Sequence, residues 1–278
     1  MISGRTRLLA LIGQPVGHSL SPRMHNASFG ADGLDFVYVS LEVDPDELSA
    51  AVKGMAALKF RGFNITMPHK QAMVGLVDDL DEGARVSRAV NTVVIDEDSR
   101  LHGYNTDGGG MVEACREAGI MVSGRRVLLL GAGGAAASIA LALGREGADE
   151  LRLVNRSEGR AEELSRGLQE AGVKGTRIYA AEALVEAAED ADVIVNATPL
   201  GMRDGDPLPI PEEYLHEGKA ICDAVYRPGK QTTLVRAALQ RGARVVAGER
   251  MLLHQGVLAQ KLWTGREPNV KAMSQAIS

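Results

Sequence analysis

The sequence predicts an α/β protein of two domains, and three observations support this. Short apolar runs alternate along the chain with segments of helical periodicity. The 278 residues, 45% hydrophobic and 24% charged, are typical of an ordinary globular chain long enough for two domains. A glycine-rich nucleotide-binding signature, which usually opens its domain, begins only at Val127. The residues before it therefore predict a separate domain.

The apolar runs are interpreted as strands. Continuous runs rich in Leu, Val and Ile are typical of parallel strands that helices cover on both faces, joined by right-handed crossovers. The runs span residues 8–12, 36–39, 127–130, 151–154, 193–195 and 245–247.

Two segments between these runs show clear helix signals. The segment 44–58 predicts a helix with Asp44 as its N-cap and Glu47 completing a capping box. The segment 157–171 predicts another, with Ser157 as its cap.

Charge and cysteine usage limit the classes of partner. With 31 basic and 36 acidic residues, the net charge of −5 provides no basic surface for nucleic acid or an anionic membrane. The two cysteines lack CxxC spacing, and the N-terminal apolar run is too short for a signal peptide or membrane span. We therefore expect a cytoplasmic protein that binds a small molecule and holds no metal ion.

The run 127–139, VLLLGAGGAAASI, predicts a dinucleotide site. Glycines permit a tight turn in which backbone amides approach a pyrophosphate, and the following helix N-terminus adds partial positive charge. The glycine spacing is a variant of the usual one, and a plain strand-to-helix turn is the alternative. The predicted residues are Gly131, Ala132, Gly133, Gly134 and Ala135.

The next predicted strand indicates which dinucleotide binds. It ends at Asn155, where a cofactor without a 2′-phosphate is normally held by a carboxylate. Arg156 and Arg160 follow instead, and guanidinium groups suit a 2′-phosphate. The pattern favours NADP over NAD, with two solvated surface arginines as the alternative.

Three polar stretches in the first domain, 18–26, 64–70 and 104–110, are interpreted as walls of a substrate pocket facing the nucleotide. A reductase needs a group that delivers a proton and one that positions it, and Lys70 and Asp107 are the candidates. The alternatives are a surface lysine on a helix beginning after Pro68 and a helix N-cap at Asp107.

Eight stretches occur in the order found in shikimate dehydrogenases, and the chain resembles that family over nearly its whole length. They are GQPVGHSLSPRMHN, GFNITMPHK, AVNT, GYNTDGGG, GAGGAAASI, NRSEGR, NATPLGM and LWTG. The resemblance implies reversible reduction of 3-dehydroshikimate to shikimate with NADPH, on the route to chorismate and the aromatic amino acids.

The resemblance also implies roles for particular residues. Lys70 would donate and accept the proton, and Asp107 would orient it. Ser19 and Ser21 would hold the substrate carboxylate, with Tyr226 nearby. The residues that contact the ring hydroxyls and the reacting carbonyl would be Thr66, Lys70, Asn91, Asp107 and Gln255.

The cofactor residues that the resemblance implies extend beyond the glycine loop. They are Asn155, Arg156, Ser157, Arg160, Ala224, Gly248 and Glu82.

The position of Gln255 predicts a discontinuous first domain. For Gln255 to reach the substrate pocket, the chain must return to that domain after the nucleotide domain. We expect a substrate domain with a mostly parallel sheet at 1–106 and 248–278, and a Rossmann-like, doubly wound NADP domain at 107–247, with a cleft between them that closes on the substrates. The oligomeric state stays open, with a homodimer as the assembly considered.

The chain departs from the family pattern at Arg88, where the family commonly has glycine, and at Glu249 and Arg250 in GERML. An arginine in place of glycine predicts a negative φ. Two alternatives to the implied activity remain: a quinate/shikimate dehydrogenase that uses NAD, and a non-catalytic NADP-binding redox sensor.

Overall fold

The computed structural model describes residues 2–278, and the chain divides into two compact units. The first unit comprises Met1–Thr106 and Gln255–Ser278, and the second comprises Asp107–His254. The second boundary thus falls inside a helix at Gln255, whereas the sequence placed it at Gly248. The domain limits given above stay a prediction.

Each unit contains a six-stranded sheet. The strands of the first unit are β1 (Arg7–Gly13), β2 (Phe36–Glu42), β3 (Gly62–Ile65), β4 (Asp79–Leu80), β5 (Thr92–Ile95) and β6 (Leu101–Tyr104). The strands of the second unit are β7 (Arg126–Leu130), β8 (Glu150–Val154), β9 (Thr176–Tyr179), β10 (Val193–Asn196), β11 (Ala220–Asp223) and β12 (Arg244–Val246).

α-Helices connect most of the consecutive strands. They are α1 (Ser21–Ala31), α2 (Leu48–Ala57), α3 (Glu82–Ser87), α4 (Asp107–Glu117), α5 (Gly134–Arg145), α6 (Glu158–Glu170), α7 (Leu184–Glu189), α8 (Thr233–Gln240), α9 (Gly248–Thr264) and α10 (Val270–Ile277). Short 3₁₀ turns occur at Pro45–Glu47, Ala72–Leu76, Ala181–Ala183 and Glu212–Tyr214.

The two sheets confirm the predicted fold class. The sheet of the first unit has the order β2-β1-β3-β5-β6-β4, and β5 alone runs against its neighbours. The sheet of the second unit has the order β12-β11-β10-β7-β8-β9 with every pair parallel, which is the Rossmann order. The first strand of that fold, β7, is buried along nearly its whole length, as its apolar sequence predicts.

The C-terminal half of α9 packs on the sheet of the first unit. Trp263 is 1% exposed, and its indole Nε1 donates to the Val93 carbonyl at 2.9 Å. A Cβ at Gly62 would lie 2.4 Å from that nitrogen, so glycine lets the helix approach the strand. The chain thus returns to the first unit through α9.

Several local predictions are wrong. The helix predicted at 44–58 opens with a 3₁₀ turn, and Asp44 does not cap it because its carboxylate accepts from Gln14 Nε2 instead. Ser157 precedes α6 without a capping hydrogen bond from its side chain. The apolar runs also missed β3 to β6, β9 and β11, which are only two or four residues long.

Arg88 contradicts the expectation of a negative φ. It caps the C-terminus of α3 with φ 48° and ψ 38°, in the left-handed region, and its N–H donates to the carbonyls of Ala84 and Arg85. The left-handed backbone of a non-glycine residue costs roughly 1 to 2 kcal/mol of free energy, and the hydrogen bonds of the cap have to offset this cost. The arginine therefore adopts the conformation that glycine adopts most readily.

His25 is an uncharged histidine inside the first unit. It is fully buried, and its ring stacks on Tyr38 with centroids 4.5 Å apart. Burial lowers the pKa of His25 from 6.5 to about 4, although its hydrogen bond with Gln260 raises it. Because the folded pKa lies below the unfolded one, the stability from neutral His25 is fully present above pH 6.5 and is lost as the pH falls toward 4.

We predict that the free energy of unfolding falls by roughly 3 kcal/mol between pH 6.5 and pH 4 through His25 alone. His25→Phe should flatten this slope, because phenylalanine does not titrate. The measurement is urea unfolding across the pH range, followed by the fluorescence of Trp263, which is the single tryptophan and has its ring centroid 5.4 Å from that of His25.

The control is His216→Gln, which alters an exposed histidine of the second unit and should keep the wild-type slope. An unchanged slope in His25→Phe would show that other groups cause the acid sensitivity.

Candidate active site

Four polar segments of the first unit lie at one edge of its sheet. The segments after β1, β3 and β6 leave the carboxyl ends of strands that run in the same direction. The segment before β5 joins them because β5 runs the opposite way and begins at that edge. In α/β sheets this edge is where ligands bind.

The segment after β1 carries two serines two residues apart. Ser19 Oγ accepts from the N–H of Ser21 at 3.2 Å, and Ser21 begins α1. Ser21 is 5% exposed, whereas Ser19 is half-buried. The hydrogen bond holds the Ser19 hydroxyl at the start of the helix.

Thr66 lies beside the end of β1. Its N–H donates to the Ile12 carbonyl at 2.9 Å, and a Cβ at Gly13 would lie 2.3 Å from its Cγ2. Glycine at 13 therefore permits a threonine to lie directly against β1.

Lys70 lies in a turn. The alternative interpretation placed it on a helix that begins after Pro68, and this part of it was wrong. Its neighbour His69 is 2% exposed and donates from Nε2 to the Val43 carbonyl at 2.7 Å. The carbonyl of Lys70 accepts from the N–H of Val90 at 2.9 Å. These two bonds fix the backbone of the turn that carries the half-buried Lys70.

Asn91 connects three of these segments. Its Oδ1 accepts from the N–H of Thr106 at 2.9 Å and from Thr92 Oγ1 at 2.8 Å. Its carbonyl accepts from the N–H of Ile65 at 2.9 Å. Gln255 Oε1 lies 3.5 Å from Thr106 Oγ1, so α9 contributes to the same polar cluster. Asn91 is 2% exposed and Gln255 is 9% exposed.

The structure therefore brings Ser19, Ser21, Thr66, Lys70, Asn91 and Gln255 to one unit. Two other predicted substrate residues, Asp107 and Tyr226, lie in the second unit. Asp107 is the first residue of α4 and is 5% exposed, so it lies within the helix and is not the residue before it.

The glycine loop of the second unit has the geometry of a phosphate-binding turn. Gly131 has φ 110°, and a Cβ there would lie 2.8 Å from the Ala197 carbonyl oxygen. A Cβ at Gly133 would meet nothing within 4 Å, so open space adjoins the start of α5. The first turn of α5 has neither an acidic residue nor a capping side chain. The residues thus fit a dinucleotide pyrophosphate.

The residues after β8 fit a 2′-phosphate. Asn155 Nδ2 donates to the Ser157 carbonyl at 2.8 Å and shapes the turn. Arg156 and Arg160 follow Asn155, and both are exposed. No acidic residue occupies the last position of β8 or the position after it.

Two further predicted cofactor residues lie near each other in the second unit. A Cβ at Gly248 would lie 2.2 Å from the Val225 carbonyl oxygen, and the N–H of Ala224 donates to the Asn196 carbonyl at 2.8 Å. Glu82 is the exposed first residue of α3 and belongs to the first unit.

Asp223 supports the loops that carry these residues, and sequence reasoning missed it. It is fully buried and accepts from Thr232 Oγ1 at 2.6 Å, from Asn196 Nδ2 at 2.9 Å and from the N–H of Val225 at 3.0 Å. Burial raises the pKa of Asp223, and these hydrogen bonds counter the rise.

Sequence reasoning also gave no role to Thr106 or His69. Each stands beside a predicted site residue within a quoted motif, but the pattern does not show which contacts its side chain makes. Among residues 2–278, no three His, Cys, Asp or Glu side chains are grouped to hold a metal ion. No helix in that range combines the length and apolarity needed to cross a bilayer.

Three family models match the chain. Residues 11–93 match the shikimate dehydrogenase substrate-binding domain, residues 113–200 match shikimate/quinate 5-dehydrogenase, and residues 248–277 match the shikimate 5′-dehydrogenase C-terminal domain.

The chain is also similar to individual proteins over its full length. The shikimate dehydrogenase (NADP(+)) of Rubrobacter xylanophilus is 59% identical, with 100% of this chain and 97% of that protein covered. The Thermus thermophilus shikimate 5-dehydrogenase structure with NADP(H) and shikimate is 36% identical, with a TM-score of 0.87 and 98% of both chains covered. The Corynebacterium glutamicum quinate dehydrogenase structure with NAD is 33% identical, with a TM-score of 0.88 and 98% of both chains covered.

Proposed function

The chain belongs to the shikimate dehydrogenase family, and we propose that it reduces 3-dehydroshikimate reversibly to shikimate with NADPH. The observation that carries this is the match of the whole chain to NADP-dependent members, together with the polar edge of the first unit. The product leads toward chorismate and the aromatic amino acids. The protein is thus an oxidoreductase of a small molecule.

The substrate carboxylate would bind the serine pair. Ser19 and Ser21 lie in one turn, in which Ser19 Oγ accepts from the N–H of Ser21, and both hydroxyls can donate to a carboxylate. Tyr226 would add a third hydroxyl from the second unit. Thr66, Asn91 and Gln255 would contact the ring hydroxyls, because their amide and hydroxyl groups lie at the same edge of the sheet.

Lys70 would transfer the proton. Bound NADPH supplies the hydride for the carbonyl carbon of the substrate. The ammonium of Lys70 would donate a proton to the carbonyl oxygen as it becomes a hydroxyl, and would recover that proton from solvent. Asp107 would orient the ammonium.

The cofactor would lie along the second unit. The open start of α5 would receive the pyrophosphate, and Arg156 and Arg160 would bind the 2′-phosphate, with Asn155 and Ser157 shaping their turn. The backbone at Ala224 and Gly248 would line the nicotinamide side. Glu82 would contribute from the first unit. We also propose that the protein is cytoplasmic and forms a homodimer.

We predict that shikimate with NADP gives the highest kcat/KM among the four pairings of shikimate or quinate with NADP or NAD. Arg156→Ala combined with Arg160→Ala should lower kcat/KM for NADP about 100-fold, because charge-assisted bonds to a 2′-phosphate are lost. The same change should leave the value for NAD nearly unaltered. Absorbance of the reduced nicotinamide measures all of these rates.

The matched control is Arg166→Ala, which removes an exposed arginine further along α6 and should change neither value. A preference for quinate and NAD would assign the chain to the NAD-dependent alternative. No reduced nicotinamide with either substrate would favour the redox sensor.

We predict that Lys70→Ala lowers kcat by about 100-fold or more, because the proton donor is lost. The dissociation constants of shikimate and NADP should change little, since other groups hold both molecules. Steady-state kinetics and fluorescence titration measure the two effects separately.

Lys53→Ala removes an exposed lysine on α2 and serves as the control, with kcat expected to equal that of the wild type. A wild-type kcat in Lys70→Ala would remove Lys70 from the mechanism.

A further inference from the structure

The position of the Asp107 carboxylate depends on how the first turn of α4 is held. Asp107 is the first residue of that helix and is 5% exposed. The first four N–H groups of a helix have no partner within the helix and need an acceptor from outside. Whatever supplies that acceptor also fixes the turn that carries the carboxylate.

Ser138 of α5 supplies one such acceptor. Its Oγ accepts from the N–H of Gly108 at 2.9 Å, and the residue is 3% exposed. Water therefore has little access to replace the bond. The serine thus caps one N–H group in the first turn of α4 from a neighbouring helix.

Glycine at 108 allows the two helices to approach this closely. A Cβ there would lie 2.1 Å from the Ser138 carbonyl oxygen and 2.9 Å from the Cβ of Ala142. The backbone of α4 thus lies directly against α5, and both helices belong to the second unit. A shift of α4 relative to α5 would have to break the hydrogen bond.

Ser138 also lies close to the cofactor loop along the helix. It is four residues after Gly134, the first residue of α5, so it stands one turn above the end that fits the pyrophosphate. The bond between Ser138 and Gly108 therefore joins the turn that carries the carboxylate to the helix that begins at the phosphate-binding loop.

We propose that Ser138 is a positioning residue for the reaction, which sets the place of the Asp107 carboxylate relative to the bound dinucleotide. This inference rests on the proposed function, because it assigns a partner to the orienting role of Asp107. Ser138 has no chemical role of its own and acts through Gly108 and the first turn of α4.

A double-mutant cycle of Ser138→Ala and Asp107→Asn tests the proposal. Ser138→Ala should lower kcat with shikimate about 10-fold, since small misplacements of a reacting group cost rate steeply. Its dissociation constant for NADP should stay within about twofold of wild type. In the Asp107→Asn background, Ser138→Ala should change kcat less than about twofold, because the two changes act on one group.

Two measurements separate positioning from loss of folding. Thermal unfolding of each variant fixes a temperature at which all are folded, and kcat is measured there. Ser138→Thr keeps a hydroxyl acceptor and should restore most of kcat. Ser165→Ala removes a buried serine of α6 in the same unit and should leave kcat unchanged.

A wild-type kcat in Ser138→Ala overturns the proposal, as does an equal loss of kcat in the Asp107→Asn background. Both results leave the proposed function intact. A wild-type kcat in Asp107→Asn alone instead overturns the role of Asp107, and the positioning role with it.

Discussion

The site on the first unit depends on the buried side chain and backbone of Asn91. Its hydrogen bonds connect the start of β5, the segment after β6 and the end of β3. Without them, the N–H groups of Thr106 and Ile65 would lose their acceptors in a region shielded from water, which costs about 1 to 3 kcal/mol for each group. The polar edge is thus rigid before any ligand arrives, which favours binding because less ordering is needed.

The second unit relies on a different constraint, the close approach of backbones at glycines. Gly131, Gly108 and Gly248 each stand where a Cβ would come within 3 Å of a carbonyl oxygen. The first shapes the phosphate-binding turn, the second brings α4 against α5, and the third lets α9 begin beside the Val225 carbonyl. Buried hydrogen bonds at Ser138 and Asp223 hold the adjoining segments, so the loops of this unit keep their places.

The sequence predicted the parts of the structure that periodicity and motifs specify. Long buried strands such as β1 and β7 were found because continuous apolar runs mark them, and the Rossmann unit followed from its glycine loop. Short strands such as β4, and the 3₁₀ turn at Pro45, escaped because tertiary contacts and not local propensity decide them. The left-handed backbone of Arg88 was also missed, because its place at the C-terminal cap of α3 and not its residue type decides it. Ser138 was missed because its partner Gly108 is 30 residues away, and Asp223 because the pattern around it does not show its bond to Asn196, 27 residues away.

The most direct measurement is a crystal structure of the chain with shikimate bound. We predict that the carboxylate of shikimate lies within hydrogen-bond distance of Ser19 Oγ and Ser21 Oγ, and that a ring hydroxyl lies within about 3 Å of Lys70 Nζ. Shikimate bound away from this edge of the sheet, or with its carboxylate against Lys70, would contradict it.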